Sequence, residues 1–114
     1  MAEEGQVIAC HTQEAWREHL VKGRQSNKLF VVYFTASWCE PSKLMSPVVD
    51  ELAKKFPDVL FLKVDVDELE SVAKDWGVEG TPKFVFLKDH RVMGKFVGAN
   101  KGKLLELTQT HAVA

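Results

Sequence analysis

The stretch LFVVYFTASWCEPS, residues 29–42, contains the patterns that predict both the fold class of this chain and the position of its reactive group. Its first part, up to Phe34, is continuously apolar and rich in β-branched and aromatic residues, which is typical of a strand buried on both faces of a parallel sheet. A short loop follows, and from about Cys39 to Phe56 apolar residues recur at helical spacing. The stretch therefore predicts a central strand, a loop and a long helix that begins at a cysteine.

Strand and helix patterns alternate on both sides of this stretch. Before it, a short apolar run at 7–10 predicts a strand, and Thr12 is suited to cap the helix that follows. After it, 59–65 is a second strand-like run, and Asp67 with Glu70 forms a capping-box pattern that predicts the start of a helix. Parallel strands joined by right-handed crossovers follow from this order.

The last third of the chain changes character. Residues 83–88 and 91–97 are strand-like runs separated by Asp89 and His90, a gap that predicts an antiparallel hairpin. Asn100 is suited to cap a final helix. The whole order predicts an α/β fold whose central mixed sheet has about five strands and carries helices on both faces.

Length and charge exclude several classes of protein. The chain has 114 residues, with 15 Lys and Arg against 16 Asp and Glu and a net charge of −1. A single domain over residues 1–114, with a flexible stretch at 1–5, suits this length. Scattered charge argues against nucleic acid as a partner, and no apolar run approaches the ~20 residues of a membrane span. The N-terminus has no signal or transit pattern, so we expect a soluble, cytoplasmic protein.

Cys39 is the strongest candidate for a reacting group. A thiol at a helix N-terminus meets free backbone N–H groups and the positive end of the helix dipole, and both favour the nucleophilic thiolate. The second cysteine, Cys10, sits in the short apolar run at 7–10 and is expected to be a buried structural thiol. We expect a monomer, with a Cys10-linked dimer as the less favoured alternative.

Five segments, in order and at the right spacing, resemble the thioredoxin family, most closely its plant h-type. They are the N-terminal run 5–11, FTASWC at 34–39 with Pro41, KVD at 63–65, GTP at 80–82 and VGA at 97–99. The resemblance covers nearly the whole chain. It implies a thioredoxin fold, a nucleophilic thiol at Cys39 and a cis proline at Pro82 packed opposite it.

The same resemblance implies a docking surface for the substrate. In the family, the backbone beside the cis proline pairs with an extended substrate segment, and the tryptophan and small residues around it line a flat surface. Disulfide-containing proteins are the partners that this surface implies. The residues of this chain that match or adjoin it are Trp38, Glu40, Pro41, Gly80, Thr81, Pro82, Gly98 and Ala99.

Three positions depart from the family pattern. Ser42 stands where thioredoxins carry the second, resolving cysteine, and Glu40 stands where they carry glycine. Tyr33 replaces a buried aspartate that accepts the proton of the resolving thiol, which leaves Lys63 without its usual carboxylate and with the Tyr33 hydroxyl as the expected substitute. Glu40 adds a negative charge that opposes thiolate formation at Cys39, and the residues alone leave open whether this charge or the helix dipole prevails.

The sequence therefore predicts a monothiol thiol–disulfide exchange protein. A serine hydroxyl is too weak an acid to resolve a mixed disulfide at Cys39, so an outside thiol such as glutathione must do so. Glutathione-dependent reduction, deglutathionylation of proteins and disulfide isomerisation are the activities open to such a site. The alternative is a binding module that traps disulfide partners, including an h-type thioredoxin engineered at Ser42; the coordinated changes at Tyr33 and Glu40 favour a natural paralogue.

Bound metals and cofactors are not predicted. The four histidines show no metal-ligand spacing with the two cysteines. Glutathione enters the prediction as a co-substrate rather than as a resident group.

Overall fold

A computed structural model describes residues 5–112 and places five strands and four helices within them. In chain order these are β1 (Val7–Cys10), α1 (Gln13–Gln25), β2 (Phe30–Thr35), α2 (Glu40–Lys55), β3 (Leu60–Asp65), α3 (Glu70–Asp75), β4 (Lys83–Lys88), β5 (Arg91–Val97) and α4 (Lys101–Ala112). Of the predicted flexible stretch 1–5, residues 1–4 lie outside the described residues. No helix in the described part of the chain is long and apolar enough to cross a bilayer.

The strands form one mixed sheet in the order β1-β3-β2-β4-β5. β3 pairs in parallel with both β1 and β2, whereas β4 runs antiparallel to β2 and to β5. Asp89 and His90 make the predicted hairpin turn, and both have positive φ (52° and 65°), as the favoured two-residue turn between twisted strands requires. The predicted mixed sheet with a parallel first half is therefore confirmed.

β2 lies at the centre of the sheet, and all of its residues are buried. Alternate side chains of a strand point to opposite faces of the sheet. Val31 and Tyr33 accordingly pack in a cluster with α2 and α4. Val32 and Phe34 pack in a second cluster with α1 and α3. Helices cover both faces, as predicted, and the end of β2 leads directly into the loop before α2.

Two of the four helices begin at the capping residues predicted for them. At α1, the Ala15 N–H donates to Thr12 Oγ1 at 3.1 Å, and at α4 the Lys103 N–H donates to Asn100 Oδ1 at 3.0 Å. Each cap gives one of the free N–H groups of a first helical turn an acceptor. α2 follows its N-cap residue, Cys39, as the spacing predicts.

The predicted capping box at Asp67 and Glu70 is wrong. α3 begins at Glu70 after Leu69, which makes no side-chain cap. Instead, Asp65 Oδ1, at the end of β3, accepts hydrogen bonds from the N–H groups of Asp67 (2.8 Å) and Glu68 (3.3 Å). An aspartate that bonds the backbone two residues ahead stabilises a turn rather than a helix. The turn leaves the Asp67 carboxylate free for another partner.

Candidate active site

Cys39 lies where the loop after β2 turns into α2. It is the N-cap residue of that helix, in an extended conformation (φ −100°, ψ 108°), and its N–H donates to the Ala36 carbonyl at 3.2 Å. The side chain is partly buried, and its Sγ donates to the backbone carbonyl of Thr81 at 3.3 Å. This contact joins the start of α2 to the segment that precedes β4.

Two hydroxyl groups are buried beside this thiol. Ser42, in the first turn of α2, is 0% exposed, and Thr81 directly precedes Pro82. Neither Ser42 Oγ nor Thr81 Oγ1 has a hydrogen-bond partner within residues 5–112. Buried hydroxyls normally find an acceptor, so this pair is unusual. The nearby Cys39 sulfur is a weak acceptor as a thiol and becomes a strong acceptor when it ionises.

The surroundings of Cys39 lower its pKa below the ordinary value of a cysteine. Hydrogen bonding of the Ser42 hydroxyl to the ionised sulfur lowers the pKa most, that of the Thr81 hydroxyl follows, and the backbone N–H of Ser42 is a third donor to the thiolate. Partial desolvation and the negative charge of Glu40 act in the opposite direction, with smaller effects. The predicted opposition of Glu40 is therefore present but outweighed. Its carboxylate is exposed to solvent and lies 3.3 Å from the Lys43 ammonium.

Trp38 lies on the surface next to Cys39 and is 68% exposed. Its indole Nε1–H donates to Asp67 Oδ2 at 2.7 Å, using the carboxylate that the turn at Asp65 leaves free. The bond ties the loop after β2 to the loop after β3. Asp67 is not among the site residues predicted from sequence. The signal that points to it is the parallel pairing of β2 with β3, which brings the C-terminal ends of both strands together.

The segment that ends at Pro82 adjoins Cys39; Gly80 and Thr81 are half-buried, and Pro82 itself is buried. The Thr81–Pro82 peptide bond is cis, as predicted, and the Pro82 carbonyl accepts a hydrogen bond from the Gly98 N–H at 2.9 Å. Gly98 has a φ of +120°, which residues with a Cβ rarely adopt. A Cβ on Gly80 would lie 3.4 Å from Val97. Val97, which sequence reasoning missed, is 57% exposed and adds an apolar side chain to the predicted surface.

Glu40, Pro41 and Ala99, the other predicted docking residues, are exposed. Pro41 lies in the first turn of α2, where its missing N–H removes no helical hydrogen bond. Ala99 lies between β5 and α4. Their positions at the surface are compatible with the docking role predicted for them.

The expectation that the Tyr33 hydroxyl replaces the carboxylate partner of Lys63 is wrong. Tyr33 and Lys63 are paired across β2 and β3, but the Tyr33 ring stacks on Phe84 (centroids 5.1 Å apart) and its hydroxyl reaches α2. There it donates to the Ser42 carbonyl at 2.5 Å and lies 3.1 Å from Ser46 Oγ. Within the described residues no hydrogen bond or ion pair involves the Lys63 side chain. Tyr33 therefore holds the first turn of α2 instead.

The family profile described as Thioredoxin matches residues 7–110. The chain belongs to the thioredoxin family. A thioredoxin H-type of Ricinus communis is 56% identical over 110 residues, covering 96% of this chain and 93% of the relative. Thioredoxin H-type 2 of Nicotiana tabacum is 58% identical over 111 residues, covering 97% and 94%.

Solved thioredoxin structures agree with this identification. The crystal structure of the thioredoxin NaTrxh from Nicotiana alata matches with a TM-score of 0.92 at 41% identity, covering 99% of this chain and 98% of that one. The thioredoxin fold and the closeness to the plant h-type are therefore confirmed. Thioredoxins are thiol–disulfide oxidoreductases that act on disulfide-containing proteins, and this chain is a thiol–disulfide exchange protein of that type.

Cys10 is a buried thiol, as predicted. Its side chain, on β1, is 1% exposed and packs among apolar residues. Burial raises the pKa of Cys10 to about 11. Cys10 and Cys39 are both free thiols in the structure. A Cys10-linked dimer would require β1 to open before the sulfur could reach a second chain.

We expect Cys39 to react with iodoacetamide at least about 100-fold faster than Cys10 at neutral pH. The lowered pKa of Cys39 increases its thiolate fraction, whereas the raised pKa and burial of Cys10 leave that sulfur neutral and inaccessible. Mass spectrometry of the two cysteine peptides after timed alkylation measures both rates. Unfolding in urea, the control, should bring the rates together, and equal rates in the folded protein would contradict the expectation.

Proposed function

We propose that this chain is a monothiol thiol–disulfide exchange protein of the cytoplasm that depends on glutathione. The observation that carries the proposal is the buried Ser42 beside Cys39, where the thioredoxin pattern has a second cysteine. A serine hydroxyl is not ionised near neutral pH and cannot displace sulfur from a disulfide. A mixed disulfide at Cys39 must therefore wait for an outside thiol, and the reducing cytoplasm supplies glutathione for that step.

The reaction comprises two exchange steps when the substrate is a glutathionylated protein. The Cys39 thiolate attacks the glutathione sulfur, the Cys39–glutathione disulfide forms, and the protein leaves as a thiolate. A second glutathione thiolate then attacks the glutathione sulfur of this disulfide and releases the Cys39 thiolate. Each broken S–S bond is replaced by a new one, and the two glutathione sulfurs leave as oxidised glutathione.

A disulfide within one protein can be rearranged by the same thiol. Attack by Cys39 on one sulfur leaves a thiolate on the substrate, and another substrate thiolate can then close on the mixed disulfide and release Cys39. No net electron transfer occurs, so the result is isomerisation. Two exposed apolar side chains, Trp38 next to Cys39 and Val97 close to Gly80, support docking of an extended substrate segment at this site.

The test is a glutathione-coupled assay on a small glutathione mixed disulfide and on glutathionylated proteins, in which glutathione reductase reports oxidised glutathione through NADPH consumption. We expect turnover by the wild type and by Cys10→Ala, the matched control at the buried thiol. Cys39→Ala should fall to the uncatalysed rate, because it removes the nucleophile. Absence of Cys39-dependent turnover on every such substrate would overturn the proposal.

The competing function is a binding module that holds disulfide partners covalently. Ser42 favours this function too, because without a resolving thiol a mixed disulfide between Cys39 and a protein can persist. Mass spectrometry of Cys39 adducts separates the two functions. Rapid clearance of the adducts by excess glutathione supports the enzyme, whereas protein adducts that survive excess glutathione support the trap and contradict the proposed turnover.

A further inference from the structure

We propose that the hydroxyls of Ser42 and Thr81 form a two-donor site for the Cys39 thiolate, so that the serine at position 42 takes part in the thiol chemistry. Ser42 would then have a positive function of its own, in addition to marking the position where the resolving cysteine is missing. The donor site itself stands on the geometry around the sulfur. Its consequence for turnover rests on the proposed function.

The proposal rests on two features of the Ser42 and Thr81 hydroxyls: they are buried, and they have no hydrogen-bond partner. Ser42 Oγ is enclosed in the first turn of α2, and Thr81 Oγ1 belongs to the residue whose carbonyl accepts the thiol proton of Cys39 at 3.3 Å. Both hydroxyl oxygens are shielded from solvent, and neither has a partner among residues 5–112. Two buried donors without acceptors are costly in a folded protein, and here both lie within hydrogen-bonding reach of the Cys39 sulfur.

Ionisation of Cys39 removes that cost. The neutral thiol donates a hydrogen bond to the Thr81 carbonyl and is only a weak acceptor for the two hydroxyls. A thiolate has no proton to give and carries a full charge, so hydroxyls that rotate towards it gain a charge-assisted hydrogen bond. The same two hydroxyls are the largest causes of the lowered pKa of Cys39. The two unpartnered donors and the lowered pKa of Cys39 both favour the thiolate form of this residue.

Tyr33 acts as a positioning residue for this donor site. Its hydroxyl donates to the Ser42 carbonyl at 2.5 Å, and its ring is anchored by the stack on Phe84. The hydrogen bond keeps the first turn of α2 against the sheet and so keeps Ser42 Oγ beside the sulfur. The aromatic residue at position 33 and the serine at position 42 therefore belong to one arrangement.

The donor site also makes Cys39 a better leaving group. When an outside thiolate attacks a mixed disulfide, the sulfur of Cys39 departs as a thiolate, and exchange is faster when the leaving thiol has a lower pKa. Ser42 and Thr81 would stabilise the departing charge. A chain without an internal resolving thiol thereby speeds the step that an outside thiol has to perform.

The test is the pH profile of Cys39 alkylation by iodoacetamide, followed on the Cys39 peptide, in the wild type, Ser42→Ala and Thr81→Val. Both variants keep nearly the same side-chain shape and lose the hydroxyl. We expect each to react about threefold more slowly near pH ~6, because less thiolate is present, and about threefold faster on the alkaline plateau, because the thiolate is more nucleophilic. Both profiles should cross that of the wild type.

Ser46→Ala is the matched control, because its hydroxyl lies one turn further along α2 and contacts Tyr33. It is expected to follow the wild-type profile. The proposal would be overturned if the pH profiles of Ser42→Ala and Thr81→Val superposed on that of the wild type. It would also be overturned if the rates of these variants fell equally at every pH, because a general disturbance of the site does not make the profiles cross. The assay contains neither glutathione nor a disulfide, so its outcome is independent of whether the proposed turnover occurs.

Discussion

Replacing Ser42 with cysteine is expected to shorten the lifetime of a mixed disulfide at Cys39 by at least about 1,000-fold. The new thiol would stand in the first turn of α2, where the Ser42 hydroxyl is now buried beside the sulfur. Well-oriented groups in one molecule reach effective concentrations of about 10⁵ M or more, far above that of any outside thiol. The variant should release its substrate as a thiol and become oxidised itself, as a dithiol thioredoxin does.

The measurement is quenched mass spectrometry of the Cys39 adduct after mixing with a small disulfide, without added thiol. Ser46→Cys is the matched control, since it adds a thiol to the same helix at a position that contacts Tyr33. Its adduct is expected to persist as in the wild type. An unchanged lifetime in Ser42→Cys would contradict the prediction and show that Tyr33 or Glu40 prevents resolution even when the second thiol is present.

Replacing Tyr33 with aspartate, the residue of the thioredoxin pattern, is expected to lower the free energy of unfolding by about 4 kcal/mol. The ring is almost completely buried, because it stacks on Phe84 and packs under the helices on that face of the sheet. Aspartate would leave a cavity and would place a carboxyl group among apolar side chains. Lys63, paired with position 33 across the sheet, could approach the carboxylate but could not fill the cavity.

Tyr33→Phe separates the ring from the hydroxyl. It keeps the stack on Phe84 and removes the donor to the Ser42 carbonyl, so we expect a loss of about 1 to 2 kcal/mol. Urea denaturation of the wild type and both variants measures the difference. Equal losses in Tyr33→Asp and Tyr33→Phe would mean that the hydroxyl accounts for the whole effect and would contradict the role given to ring packing.

The fold itself was predicted from local patterns. The bounds of β4 and β5 and the turn at Asp89 and His90 agree with the structure, because the strand-favouring composition of the two runs and the length of the gap between them are properties of neighbouring residues. The position of Cys39 at the start of α2 was predictable for the same reason. A buried strand, a short loop and a helical repeat follow one another within residues 29–56.

Patterns along the chain were sufficient to predict the strands, the helices and the position of the thiol at the start of α2, whereas the groups that surround the thiol are set by tertiary packing. Thr81 is 42 residues away from Cys39 along the chain, and Asp67 is 29 away from Trp38. The orientation of the Tyr33 side chain, and so the partner of its hydroxyl, likewise depends on stacking against Phe84, which lies on another strand. Periodicity shows which face of an element is buried, whereas the partner across that face depends on strand order and register, which are settled when the whole chain packs.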